Sequence, residues 1–152
     1  MRLTVFSDYA LRALIYLESQ AEPVSLRQIA AAYGVSHSHL VKVVALLQKA
    51  GFVTTRRGPG GGVTLARPAN EINLADVLRA TEPDFDIVEC LDMGTNSCPI
   101  AGLCKLTQVL CAAKDAFLAE VGRHTLADVT QNRLQIGRVL AARAAAAPAP
   151  LP

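Results

Sequence analysis

From Ser7 to Leu17 the apolar residues Ala10, Leu11, Leu14, Ile15 and Leu17 recur at helical spacing, with Ser7 or Asp8 available as the N-terminal cap, which predicts a first helix. Pro23 ends the following turn. Ser25 with Gln28 three residues later matches a capping box that opens a second helix, Leu26 to Tyr33, and Gly34 stops it. Ser36 then caps a third helix that runs through Leu40, Val43, Val44 and Leu47 to Ala50, where Gly51 supplies the stop signal. Two helices joined through one glycine make a sharp corner: small Ala30 lets them approach, Gly34 takes a backbone shape that a side chain would obstruct, and Val35 and Leu40 plug the angle. This is the pattern of a helix-turn-helix, although an ordinary pair of packed helices has the same periodicity.

Beyond the corner the period changes. Phe52 to Arg56 and Val63 to Arg67 are short β-prone runs around Arg57-Gly-Pro-Gly-Gly-Gly62, which predicts a hairpin with a glycine tip, a wing. The glycine run is no phosphate cradle, because no Gly-Lys-Ser/Thr follows, and Val63 occupies the last glycine position of a dinucleotide fingerprint begun at Gly58.

Further on, Asn73 caps a short helix, Leu74 to Thr81, and Pro83 opens an acidic loop in which Asp84, Asp86, Glu89 and Asp92 surround Cys90. An apolar stripe of Leu106, Val109, Leu110, Ala113, Phe117, Leu118 and Val121 then marks a helix of about twenty residues that wants a partner. Thr125 caps one more helix, and the Ala/Pro-rich end from Ala141 to Pro152 reads as frayed and without function. The expected fold is mainly α with a small β-hairpin wing: a winged helix-turn-helix DNA-binding domain over 1–67, a cluster-binding loop and dimerisation helix over 68–131, and a helix end with a tail over 132–152.

Charge sharpens this division. The net charge of the 152-residue chain is only +2, but residues 1–67 hold eight Lys/Arg against three acids, a balance of +5, while the remainder stands at −3. A basic front half favours a polyanion such as duplex DNA. Ser36, His37, Ser38, His39 and Lys42 open the third helix, and Arg56, Arg57 and Gly60 belong to the wing; these eight are the expected DNA contacts. Ser38, His39 and His37 are assigned to base edges, and Lys42 and Arg57 to phosphates. As a winged-helix monomer reads few base pairs, the long helix is expected to pair two copies on a palindromic site.

At 51% hydrophobic and 18% charged, the composition is that of a folded globular chain and excludes a disordered tail. Arg2, Asp8 and Arg12 interrupt the first stretch, so no signal-peptide core or membrane span is drawn there and a cytoplasmic location is expected. In that compartment four cysteines are ligands, sensors or core residues before they are structural disulfides. Three follow the pattern Cys90-x7-Cys98-x5-Cys104, with Gly94, Asn96, Pro99 and Gly102 letting the backbone bend. Zinc normally uses paired Cys-x2-4-Cys ligands, which are missing, and a disulfide switch leaves a third thiol unexplained. An iron-sulfur cluster tolerates the wider spacing; burial as small hydrophobes is the remaining alternative. Cys111, about 10 Å further along a helix than Cys104, is read as core.

Phe6-Ser-Asp-Tyr-Ala-Leu-Arg-Ala-Leu14, Tyr-Gly-Val-Ser36, His39-Leu-Val-Lys-Val-Val44, the Arg57-Gly-x-Gly-Gly-Gly wing, Glu71-Ile-Asn-Leu74 and Glu82-Pro-Asp-Phe-Asp86 occur in one order along about residues 1–130. Together they resemble the iron-sulfur winged-helix repressors, the family that includes IscR, and within it the nitric oxide-sensing members. The resemblance implies a homodimer that binds palindromic operators while it holds a cluster and releases them when nitric oxide attacks the iron. It implies Cys90, Cys98 and Cys104 as cluster ligands, 4Fe-4S favoured over 2Fe-2S. Asp8 matches the carboxylate fourth ligand, reaching the cluster of the partner subunit; helix N-terminal stabilisation is its structural alternative, and His124 is a weaker rival ligand. IscR-type members carry a histidine three residues after the last cysteine, where this chain has Thr107, a departure from that role.

The expected function is therefore a cytoplasmic, cluster-dependent transcriptional repressor, not an enzyme, with operator DNA as partner and nitric oxide as signal. Its rivals are a cluster-free thiol/disulfide regulator, an IscR-like sensor of cluster status, and a cluster-carrying enzyme or electron-transfer module, for which no catalytic constellation is visible.

Overall fold

A computed structural model describes residues 2–92 and 94–146. Among them the order of elements is α1 (Val5–Glu18), α2 (Leu26–Tyr33), α3 (His37–Lys49), β1 (Val53–Arg56), β2 (Gly62–Leu65), α4 (Leu74–Thr81), α5 (Lys105–Val121), α6 (Leu126–Val129) and α7 (Arg133–Ala146), with short 3-10 turns at Ala69–Glu71 and Glu89–Leu91. The core is aliphatic. Ala10, Ala13 and Leu14 of α1, Ile29 of α2, Leu40, Val43 and Leu47 of α3, and Ile72 beside α4 are fully buried. Each helix of the front half thus sinks one stripe into a shared interior.

Local chemistry sets the boundaries. The Ser25–Gln28 capping box is formed in both directions, and Gly34 ends α2 in the left-handed region at φ 65°. Ser36 accepts from the His39 N–H to start α3, and Asn73 accepts from Ala75 and Asp76 to start α4. The first helix begins earlier than its periodicity predicts. Thr4, not Ser7 or Asp8, is the cap, and the Thr4 side chain accepts from the Ser7 N–H. Ser7 is instead buried, and its Oγ lies 2.7 Å from Thr81 Oγ1 at the end of α4.

β1 and β2 pair antiparallel with Thr55 opposite Val63 and Arg56 opposite Gly62. Val63 also exchanges two backbone hydrogen bonds with Val24, at 3.1 and 2.8 Å, which fastens the wing to the turn before α2. A similar bridge joins Asn73 to Thr125 and holds the start of α6 against α4.

Two expectations in the back half, for Cys111 and for Ala141–Ala146, are corrected, and the stripe of α5 is resolved in more detail. No residue of α5 is buried. Its apolar stripe divides: Leu110, Phe117, Leu118 and Val121 are half-buried, whereas Leu106 and Val109 are exposed, at 58% and 61%. Cys111 is half-buried beside the Asp115 carboxylate and is not part of the buried core. Ala141–Ala146, expected to fray, belong to α7, which packs against α2 and α1 through Ile136, Leu140 and Ala144. The rest of that Ala/Pro-rich stretch, 147–152, lies outside the described residues. Among the described residues no helix is long and apolar enough to cross a membrane.

Candidate DNA-reading surface and cysteine loop

The helix-turn-helix corner turns the first half of α3 outward. Ser36, His37, Ser38, His39 and Lys42 are all exposed. Their roles in the fold differ. Ser36 spends its hydroxyl on the cap and on Ser38 Oγ, 2.9 Å away. His39 stands toward α1, its ring 6.2 Å from that of Tyr9. Ser38 and Lys42 project from the outer face. Sequence reasoning overlooked four further residues on it, Val41, Ala45, Gln48 and Lys49, all exposed. Counting i+3, i+7 and i+10 from Ser38 would have reached Val41, Ala45 and Gln48, with Lys49 beside them.

The wing continues this surface. Thr55 donates to Gln48 Oε1 at 2.9 Å and joins β1 to α3, while Thr54 and Thr64 pair their hydroxyls at 2.9 Å across the hairpin. Arg56 and Arg57 are exposed at the mouth of the tip. Among the described residues no carboxylate stands within ion-pair distance of Lys42, Lys49, Arg56 or Arg57, so their charge is directed to solvent. Gly60 adopts φ 71° with open space around it. Gly61 and Gly62 differ: a Cβ on Gly61 would collide with the Arg56 carbonyl, and one on Gly62 would stand 2.8 Å from the Val24 carbonyl. The tip closes because Gly61 lacks a side chain, and the hairpin docks on Val24 because Gly62 does.

The cysteine loop begins where α4 ends. Glu82 accepts from the Thr4 N–H at 2.8 Å and from its hydroxyl at 3.2 Å, so the first residue after α4 also holds the cap of α1. Cys90 lies in the 3-10 turn Glu89–Leu91, and Thr107 of α5 donates to its Sγ at 3.3 Å. The Cys98 N–H donates to Asn96. Cys104 is the N-cap residue of α5, without a side-chain hydrogen bond, at the positive end of the helix dipole. The loop is braced by acids: hydrogen bonds from the Ser97 hydroxyl and N–H hold the Glu89 carboxyl below its ordinary range, and those from Thr95 and Gly94 do the same for Asp92.

All three loop cysteines are half-buried free thiols. Among the described residues no three His, Cys, Asp or Glu side chains converge closely enough to hold a single metal ion. An iron-sulfur cluster asks for something else, since its thiolates are shared among two or more irons and the sulfurs need not all meet at one point. Three half-buried thiols, with an O–H donor to the Cys90 sulfur and a helix N-terminus at Cys104, are a sulfur donor set with outer hydrogen-bonding support, so the donors fit that group. Asp8 sits in the first turn of α1 and pairs with Arg12, Nε to Oδ1 2.9 Å; Arg12 in turn lies 5.7 Å over the Tyr33 ring. His124 is exposed and 3.7 Å from Glu120.

Comparison with known proteins agrees with this architecture. The family model Rrf2, described as an iron-dependent transcriptional regulator, matches residues 3–132. The HTH-type transcriptional regulator NsrR of Bacillus subtilis is 43% identical over 142 residues, covering 92% of this chain and 97% of that protein. Among solved structures, T. potens IscR matches with a TM-score of 0.69 at 28% identity, over 87% of this chain and 88% of that one. CymR (YrzC), the global cysteine regulator of B. subtilis, matches with a TM-score of 0.68 at 27% identity, over 87% and 98%. With its winged helix-turn-helix, its cysteine loop and a family match across most of its length, the chain belongs to the Rrf2 family of iron-dependent transcriptional regulators.

Proposed function

We propose that the protein is a cytoplasmic, homodimeric repressor whose grip on palindromic operator DNA depends on an iron-sulfur cluster and is lost in nitric oxide. One observation carries this reading. Cys104, the last thiol of the loop, is the N-cap of α5, whose outer face leaves Leu106, Val109, Ala113 and Ala116 exposed among the described residues. These positions follow the 3-4-3 spacing of a helix-pairing seam. Thiol loop and pairing seam are therefore one continuous segment, and a change in the loop alters how two copies meet. Similarity to NsrR favours nitric oxide as the signal. The domain division follows: 1–67 reads DNA, and 68–131 senses and pairs.

Cys90, Cys98 and Cys104 would hold the cluster, 4Fe-4S by resemblance, with the Asp8 carboxylate contributed from the second copy. When bound, the group supplies iron atoms that nitric oxide attacks. The chain does the rest. Ser7–Thr81 and Thr4–Glu82 join the loop's root to the helix that carries Asp8, and α1 packs against α3, so displacement at the loop reaches the reading surface. Two misplaced reading heads forfeit one half-site, and affinity falls steeply for a small movement. Ser36, His37, Ser38, His39, Lys42, Arg56, Arg57 and Gly60 are the proposed contacts to DNA.

The experiment is anaerobic isolation with iron and sulfide analysis, followed by operator binding of loaded and chelated protein. Three thiolate-held irons or more, and chelated protein binding at least tenfold more weakly, are expected. A colourless, iron-free protein whose operator binding responds to oxidant would instead establish the thiol switch, a reading favoured by the four free thiols and by the fold shared with CymR.

A further inference from the structure

The outer face of α3 contains an anomaly. Val41 is 45% exposed in the middle of a helix whose Leu40, Val43, Val44 and Leu47 are all buried. Folding gains little from it: a β-branched side chain is a weaker helix former than the alanines or glutamines nearby, and half of its apolar surface remains in water. Ala45, one turn further, is also exposed, and Ser38 lies one turn before. Hydroxyl, isopropyl and methyl groups thus form a strip about 10 Å long, the rise of about three base pairs. Lys42 and Lys49 flank the strip, and Arg56 and Arg57 extend the positive charge to the wing. An aliphatic strip inside a cationic frame matches one surface in particular. The major groove is lined by phosphates, and of its four base edges only thymine presents an apolar group, the C5 methyl.

We infer that Val41 is a specificity-determining residue that packs on the 5-methyl group of a thymine, with Ala45 small enough to let the helix approach that edge. Lys42, beside it, stays on the phosphates. The inference rests on α3 being the DNA-reading helix. It assigns sequence choice to an aliphatic contact at the centre of the helix, where the polar residues at its opening had been the only candidates.

The test uses the full chain, isolated without oxygen, and a duplex enriched by it from random-sequence DNA. Each thymine of a half-site is replaced in turn by deoxyuridine, which removes only the methyl group, and dissociation constants are compared for the wild type, Val41→Ala and Val41→Thr. At one thymine the replacement is expected to weaken the wild type about three- to fourfold, and about tenfold when made in both half-sites. Val41→Ala is expected to bind the two duplexes equally, and Val41→Thr to keep part of the preference. Thermal melting of each variant reports its folding. Indifference of the wild type to deoxyuridine at every position, or an unchanged penalty in Val41→Ala, overturns the inference and leaves the DNA-binding reading standing. Failure to enrich any duplex removes that reading, and the inference with it.

Discussion

Ser7 Oγ and Thr81 Oγ1 lie 2.7 Å apart with both side chains sealed from solvent, and Thr81 passes the hydrogen bond on to the Val77 carbonyl at 2.9 Å. This pair is the polar seam between the helix that starts the chain and the helix that ends at the cysteine loop. Its two members are not equivalent. Thr81→Val leaves the Ser7 hydroxyl buried with only a 3.4 Å contact to Thr4, which costs about 2 kcal/mol; Ser7→Ala leaves Thr81 its bond to Val77 and costs about 1 kcal/mol or less. Chemical denaturation of both variants and of the double variant is expected to show that the second change recovers part of the loss.

Asp8 and Arg12 form an exposed ion pair, with side-chain exposures of 46% and 42%. Such a pair contributes under about 1 kcal/mol. Asp8→Asn is therefore expected to melt close to the wild type while losing visible absorbance and iron much faster in air. A large loss of stability with an unaltered cofactor would assign Asp8 to folding alone.

The wing makes a graded prediction from neighbouring glycines. Gly60→Ala meets no atom and bears only the strain of a positive φ, about 1 kcal/mol, with DNA affinity changed a few-fold. Gly61→Ala drives a methyl group into the Arg56 carbonyl and is expected to open the hairpin tip and reduce operator affinity more than tenfold. Amide exchange at Val63 distinguishes a local opening from global unfolding.

Leu106 and Val109 leave more than half of their surface in water and contribute little to the isolated fold. Leu106→Glu with Val109→Glu is expected to convert the proposed homodimer to a monomer in sedimentation, with secondary structure retained. Loss of secondary structure would show that the two side chains serve the single chain.

Acid should loosen the loop before the core. Glu89, held below its ordinary range by Ser97, contributes order that is complete above the normal carboxylate range and is lost as the pH falls through its lowered value. Amide exchange at Ser97 should therefore accelerate in acid, and Glu89→Gln should remove that dependence. At the other extreme burial pushes Tyr33 up to about 12, so its contribution, intact below about pH 10, fades between there and 12.

Where signals were local, the chain could be read directly. The Ser25–Gln28 box, the Gly34 stop and the Asn73 cap each lie within four residues of what they control, and α2 and α4 run where they were expected. The cap of α1 is less legible: Ser7, Asp8 and Thr4 are all capable caps of the same short stretch, and Thr4 is favoured by a hold from Glu82, seventy-eight positions away, that no periodicity encodes. The end of α7 was hidden by composition, since alanines adjoining prolines resemble a tail until Leu140 is found buried beside α2. For the site, the cysteine spacing identified the loop, but the outward face of α3 required helical phase to be followed past its polar opening to Val41 and Ala45.

The hydrogen bonds from Val63 to Val24 and from Thr55 to Gln48 tie the wing at two places, to the turn before α2 and to α3. A wing fastened at both places is coupled to the movement of α3. In the proposed homodimer a signal arriving through α1 would therefore tilt or translate that unit more readily than reshape it, and operator discrimination and operator release would become separable properties: the first fixed within each head, the second set by the rotational phase between the two.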